Sequence, residues 1–140
     1  MKTMYTTQAT ATGGRTGSAK TQDGVLEVTL TTPKELGGDG ARGTNPEQLF
    51  ALGYSACFLG AVKAAGRKAG VKIPEDATVT ASVSFTDRDD QEGFWIKAAL
   101  EVHLPGIEKS VAEDVVQKAH VICPYSEVSR NGFNVDLTVV

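Results

Sequence analysis

The chain has 140 residues, 41% hydrophobic and 22% charged, with a formal net charge of -3 at pH 7, values that fit one soluble domain spanning residues 1–140. No run of like charges marks a nucleic-acid or anionic-membrane surface. Met1–Thr12 is polar and rich in threonine and lacks the basic start and apolar core of a secretory leader. The longest uncharged stretch, Gln48–Val62, covers 15 residues. A membrane-spanning helix needs about 20, so a buried helix in a cytosolic protein is expected.

The N-terminal region reads as a strand followed by a hairpin. Asp23-Gly24 is a tight-turn signal, and Val25–Thr31 supplies the strand residues that follow it. Pro33–Gly43, with four glycines, is a loop. Thr44-Asn45-Pro46-Glu47 then offers two helix starts. In one, Asn45 caps with Pro46 as the first helical residue; in the other, Thr44 and Glu47 form a capping box. Leu49–Ala65 is apolar nearly all round, a pattern of burial on several sides, and Gly70 suits the stop.

Thr78–Phe85 and Phe94–Leu104 both alternate apolar and other residues, which predicts an antiparallel pair joined by the polar Asp87–Gly93 loop. Val111, Val115, Ala119 and Ile122 share one face of a second helix, which Pro124 ends. A short turn is expected at Ser126–Arg130, and Val135, Leu137 and Val139 predict a final strand. The order strands, helix, strands, helix, strand is α+β, with mainly antiparallel sheet around a central apolar helix. One small monomer would not cover such a helix; a dimer would.

The two cysteines lie 66 positions apart. In a reducing compartment a permanent structural disulfide is not expected, and buried cysteines often serve as small hydrophobes. Cys57 lies inside the apolar helix, where burial raises a thiol pKa. A nucleophilic Cys57 therefore needs a cation, and none is close in sequence, since Lys63 points to a different face. Cys123, between a helix end and Pro124, sits where the backbone is expected to move. His103, His120, Cys57 and Cys123 lack the paired spacing of a structural zinc site. Gly13-Gly14-Arg15-Thr16-Gly17 lacks the Walker pattern, and no dinucleotide fingerprint is present. No metal or cofactor is expected. The glycine pair reads instead as a turn that aims Arg15.

Taken together, Gly13-Gly14-Arg15, Thr32-Pro33-Lys34-Glu35-Leu36-Gly37-Gly38, Thr44-Asn45-Pro46-Glu47-Gln48-Leu49-Phe50, Gly53-Tyr54-Ser55-Ala56-Cys57-Phe58 and His120-Val121-Ile122-Cys123-Pro124-Tyr125-Ser126 resemble the organic hydroperoxide resistance proteins, a branch of the OsmC/Ohr superfamily. The resemblance covers essentially the whole chain. It implies a cytoplasmic thiol peroxidase that protects against oxidative stress, built as an intertwined homodimer with two sheets and helices between them. It implies reduction of organic hydroperoxides, including fatty-acid ones, to alcohols, with a lipoyl-type dithiol (a lipoylated protein or dihydrolipoamide) as reductant. Cys57 falls on the family's peroxidatic cysteine, Cys123 on its resolving cysteine, Arg15 on its activating arginine and Glu47 on the glutamate that holds that arginine. The chain departs at Ser129-Arg130-Asn131-Gly132-Phe133, where the family more often shows Arg-Gly-Asn.

Arg15 would be the cation that Cys57 needs, since burial does not neutralise an arginine, and Glu47 could hold it through a bidentate pair. Glu47 and Cys57 are ten positions apart, about 15 Å and about 80° on one straight helix. The expectation is therefore a site completed across a dimer, with Arg15 and Glu47 opposite the partner's cysteine. Tyr54, Phe58, Phe94 and Trp95 are candidates for an apolar substrate wall. The alternatives are a redox sensor or binding protein that forms the same disulfide without turnover, and an OsmC-type peroxidase with a different peroxide preference.

Overall fold

Small and β-branched residues near the N-terminus pair as a three-stranded antiparallel sheet: β1 (Ala9–Thr12), β2 (Ser18–Thr21) and β3 (Glu27–Thr29), in that order. In the computed structural model, which describes residues Met1–Val140, this sheet belongs to the first of two compact units, Met1–Phe50, the second being Ala51–Val140. The β2–β3 turn forms around Asp23, whose carboxylate accepts from the Thr21 hydroxyl at 2.7 Å and the Val25 N–H at 3.1 Å. Those bonds hold Val25 and Leu26 in an exposed turn. The expected strand at Val25–Thr31 is thus shortened to β3, with Leu30 bridging to Thr44 in parallel.

Helix α1 (Pro46–Ala69) starts by the first of the two expected routes. The Asn45 side-chain oxygen accepts from the Gln48 N–H at 2.8 Å, and Pro46 is the first helical residue, where no N–H is required. The Thr44 hydroxyl donates to the Gln48 side chain instead, so the capping box with Glu47 does not form. The helix ends as the Gly70 N–H donates to the Arg67 carbonyl and the Val71 N–H to the Gly66 carbonyl, satisfying carbonyls that helix geometry leaves open. Its length and apolarity would suffice to cross a membrane, yet one of its faces, through Tyr54, Phe58, Ala61, Val62, Ala65 and Gly66, is buried as core. Burial is one-sided rather than all round, since Leu52 remains 66% exposed.

In the second unit, β4 (Thr78–Asp87) and β5 (Phe94–His103) form an antiparallel hairpin in which Val79 faces Val102, Val83 faces Ala98 and Phe85 faces Ile96. Val79, Ala81, Val83 and Phe85 are half-buried and alternate with more exposed neighbours, the pattern of a sheet with one covered face. Helix α2 (Lys109–Ile122) is capped by the Glu108 carboxylate, which accepts from the Ser110 and Val111 N–H groups. Of its expected apolar face, Val115 and Ala119 are fully buried, whereas Val111 and Ile122 stay partly exposed.

Two expectations for the C-terminal quarter require correction. Where a short turn was expected at Ser126–Arg130, an eight-residue helix, α3 (Pro124–Asn131), forms. The proline that ends α2 also opens α3, because its fixed φ and missing N–H suit a first helical position. The final strand does not form: Val135, Leu137 and Val139 alternate, but they are 62%, 90% and 100% exposed and lie in irregular backbone. Alternation selects a face, whereas a strand also requires a neighbour to take its N–H and C=O groups.

Candidate active site

In the first unit, Gly13 (φ +74) and Gly14 (φ +61) take left-handed backbone that opens a single helical turn, Gly14–Thr16. Gly17 closes it against the Thr12 carbonyl so tightly that no Cβ would fit. This glycine-framed turn carries Arg15, as its sequence suggested. The guanidinium donates to both carboxylate oxygens of Glu47, at 2.9 and 2.6 Å, in the fork geometry specific to arginine. The Glu47 side chain is 13% exposed and that of Arg15 36%. Hydrogen bonding to Arg15 holds the Glu47 carboxyl below the usual carboxylate range, outweighing the opposing effect of burial, and the same bond raises the Arg15 pKa.

The second unit brings the two thiols together. The Cys123 Sγ lies 3.6 Å from the Cys57 Sγ and donates to it; both are free cysteines. Cys57 is half-buried on α1 and Cys123 completely buried. Cys123 is at once the residue that closes α2 and the residue that caps α3. Its N–H donates to the Ala119 carbonyl and its carbonyl accepts from the Glu127 N–H, both at 2.9 Å. Cys123 thus forms an elbow between two helices, with both of its backbone groups hydrogen-bonded. A disulfide requires sulfurs at about 2.0 Å, so closure needs only a small approach.

Burial pushes the Cys57 thiol up from its ordinary pKa, and the hydrogen bond from Cys123 adds to that. The backbone N–H of Tyr125, at the start of α3, acts in the opposite sense. Pro124 has no N–H, so Tyr125 presents the first backbone donor of that helix, where the helix dipole also favours negative charge. Sequence reading missed this donor, although Cys123-Pro124 carried the signal of a cap followed by a first helical residue.

The four candidate wall residues fall in two clusters. Tyr54 and Phe58, buried beside Cys57 on α1, make an edge-on pair at 6.4 Å, with Tyr54 also 5.8 Å from Tyr125 and Phe58 6.4 Å from His120. Phe94 and Trp95 are exposed at the turn end of the β4–β5 hairpin. There Phe94 stacks on Phe85 at 4.6 Å and Arg88 lies over Trp95 at 5.2 Å. A concavity of about 490 Å³ at this hairpin end is lined by Arg88, Trp95 and Lys97 among others and includes neither cysteine. No three His, Cys, Asp or Glu side chains gather in a metal-binding group.

The Arg15–Glu47 pair makes a pH-dependent contribution. Because the folded Glu47 pKa is depressed, the pair stabilises above the unfolded carboxyl pKa of about 4.3, and that stability is lost as pH falls through the lower folded value. Glu47→Gln is expected to cost about 1 kcal/mol at neutral pH, modest because Arg15 is partly exposed. Urea unfolding at stepped pH should show the gap to wild type narrowing in acid; a constant gap down to acid pH would contradict this account.

Residues 37–138 match the family model described as OsmC-like protein. The chain is 46% identical over 138 residues to the organic hydroperoxide resistance protein of Xanthomonas axonopodis pv. citri, covering 99% of this chain and 96% of that one. It is 37% identical to the organic hydroperoxide resistance protein OhrB of Bacillus subtilis, with 96% of each chain covered. A crystal structure of an organic hydroperoxide resistance protein from Legionella pneumophila aligns with a TM-score of 0.86 at 43% identity, covering 94% of this chain and 93% of that one. The α+β architecture of two antiparallel sheets and three helices is that of these structures. By sequence and by fold, the chain belongs to the OsmC-like family, in the branch of the organic hydroperoxide resistance proteins.

Proposed function

We propose that this protein is a cytoplasmic thiol peroxidase that reduces organic hydroperoxides, fatty-acid hydroperoxides among them, to alcohols and so protects against oxidative stress. The observation that carries the reading is the pair of free thiols 3.6 Å apart, one on an apolar helix and one at a helix elbow, in a chain 46% identical to an organic hydroperoxide resistance protein.

The Cys57 thiolate attacks one peroxide oxygen. The O–O bond breaks, two electrons pass from sulfur, and the alkoxide takes a proton and leaves as the alcohol. Arg15, oriented by Glu47, supplies the positive charge that favours the thiolate and the charge developing on oxygen. Cys57 becomes a sulfenic acid. Cys123 displaces its hydroxyl, which leaves as water with the Cys123 proton, and the two sulfurs join. An external dithiol of the lipoyl type, free or on a lipoylated protein, restores both thiols by exchange. Tyr54 and Phe58, buried beside Cys57, give it the apolar surroundings that suit an apolar hydroperoxide; Phe94 and Trp95 stand in the separate hairpin cluster.

We further propose a homodimer in which Arg15 and Glu47 of one subunit serve Cys57 of the other. The uncovered side of α1, with Leu52, and the alternating but unpaired Val135, Leu137 and Val139 support a second copy, and so does the hairpin, since two strands alone are marginal in water.

Steady-state assays should show rapid consumption of cumene hydroperoxide with dihydrolipoamide, slower use of hydrogen peroxide or of thioredoxin, and no turnover for Cys57→Ser. A single stoichiometric oxidation without turnover under any reductant would remove the peroxidase reading and favour a redox sensor. Co-expression of Arg15→Ala and Cys57→Ser chains tests the shared site. Mixed dimers assembled in trans keep one intact site, so about one quarter of wild-type activity should return. Activity no higher than that of the separate variants would place both groups in one subunit.

A further inference from the structure

Ser126 is wholly buried, and its hydroxyl shares a 2.9 Å hydrogen bond with the Tyr54 hydroxyl. Tyr54 stands three residues before Cys57 on α1, and Ser126 three residues after Cys123 on α3. The bond therefore ties the helix that carries one thiol to the helix capped by the other. Next to it, Tyr125 lies over Gly53 so closely that a Cβ there would come within 2.8 Å of the tyrosine oxygen. On the far side of the elbow, Arg130 donates to the His120 carbonyl at 2.6 Å, which straps α3 back to the last turn of α2, and it pairs with Glu127 at 2.6 Å. Cys123 is thus held from two directions, and its own backbone groups are already bonded.

We propose that Ser126 and Arg130 are positioning residues for the resolving step, fixing Cys123 within reach of Cys57 so that disulfide closure outruns further oxidation. The inference rests on the thiol-peroxidase reading. In that step the Cys123 sulfur attacks the Cys57 sulfenic acid, an S–S bond forms as the S–O bond breaks, and the departing hydroxide leaves with the Cys123 proton as water. The competing reaction is attack by the sulfenic acid on a second hydroperoxide, which yields a sulfinic acid and another alcohol. Which reaction prevails depends on the effective concentration of Cys123 at Cys57, the quantity that a fixed elbow raises.

The test is a rapid-quench single turnover with cumene hydroperoxide, in which mass spectrometry resolves free thiol, dimedone-trapped sulfenic acid and disulfide in wild type, Ser126→Ala, Arg130→Ala and Arg130→Lys. Loss of free thiol should proceed at the wild-type rate in all four. Disulfide closure should slow about ten-fold in Ser126→Ala and several-fold in Arg130→Ala. Trapped sulfenic acid should rise, and sulfinic acid should accumulate under excess peroxide. Arg130→Lys, which keeps a donor for the His120 carbonyl, should recover much of the closure rate. Arg130 is partly exposed, so its variants test the idea even if Ser126→Ala does not fold. Closure at the wild-type rate in the folded variants, or thiol loss and closure slowed by the same factor, would overturn the proposal. A wild type that forms neither sulfenic acid nor disulfide would overturn the peroxidase reading and this inference with it.

Discussion

The approach of two sulfurs to 3.6 Å is the constraint around which the second unit is arranged. It requires that Cys57 lie on a helix face turned toward protein, and α1 provides this because Tyr54, Phe58, Ala61 and Val62 are packed as core beside it. It also requires that the chain turn sharply at Cys123. Pro124 produces that turn, since it cannot continue α2 and is well suited to begin α3. The same burial that makes the pair possible raises the Cys57 pKa. A helix N–H answers part of that penalty, and a fixed positive charge is what the chemistry still demands.

In the proposed mechanism the Arg15–Glu47 pair of the first unit supplies that charge. A lysine in this position would be a poorer choice, because it loses its proton on burial more readily and cannot make the forked pair. The carboxylate has a second role besides neutralising charge, since two parallel hydrogen bonds fix the plane of the guanidinium. A charge with a defined orientation can stabilise a developing anion without reorganising during the reaction. The glycine-framed turn around residue 15 carries the arginine on a backbone that other residues would not adopt.

Much of this was legible in the sequence. Asn45-Pro46 marked the start of α1, Gly70 its end, and the alternation from Thr78 and Phe94 the two long strands. Each of these signals is local, depending on a backbone preference or on one face of one element. The failures came where the outcome depends on partners. Val135, Leu137 and Val139 have the period of a strand, but nothing in that period says whether a neighbour exists. Val25 and Leu26 have strand propensity, yet bonds to the Asp23 carboxylate and to Thr21 hold them in the turn. Pro124 was legible as a stop and not as a start, which hid α3, the elbow, and the buried Tyr54–Ser126 bond. The family resemblance named both cysteines and both charged residues; their pairwise geometry had to come from the structure.

The central claim is that Arg15 offsets the burial of Cys57. Thiolate absorbance of the reduced protein, followed against pH in wild type and Arg15→Ala with Cys57→Ser as the blank, measures this directly. The account predicts that Cys57 ionises at lower pH in wild type than in Arg15→Ala, because the guanidinium favours the thiolate against the burial that raises its pKa. Coincident titrations in the two proteins would contradict it, leaving Arg15 and Glu47 as an ion pair with no hold on the thiol.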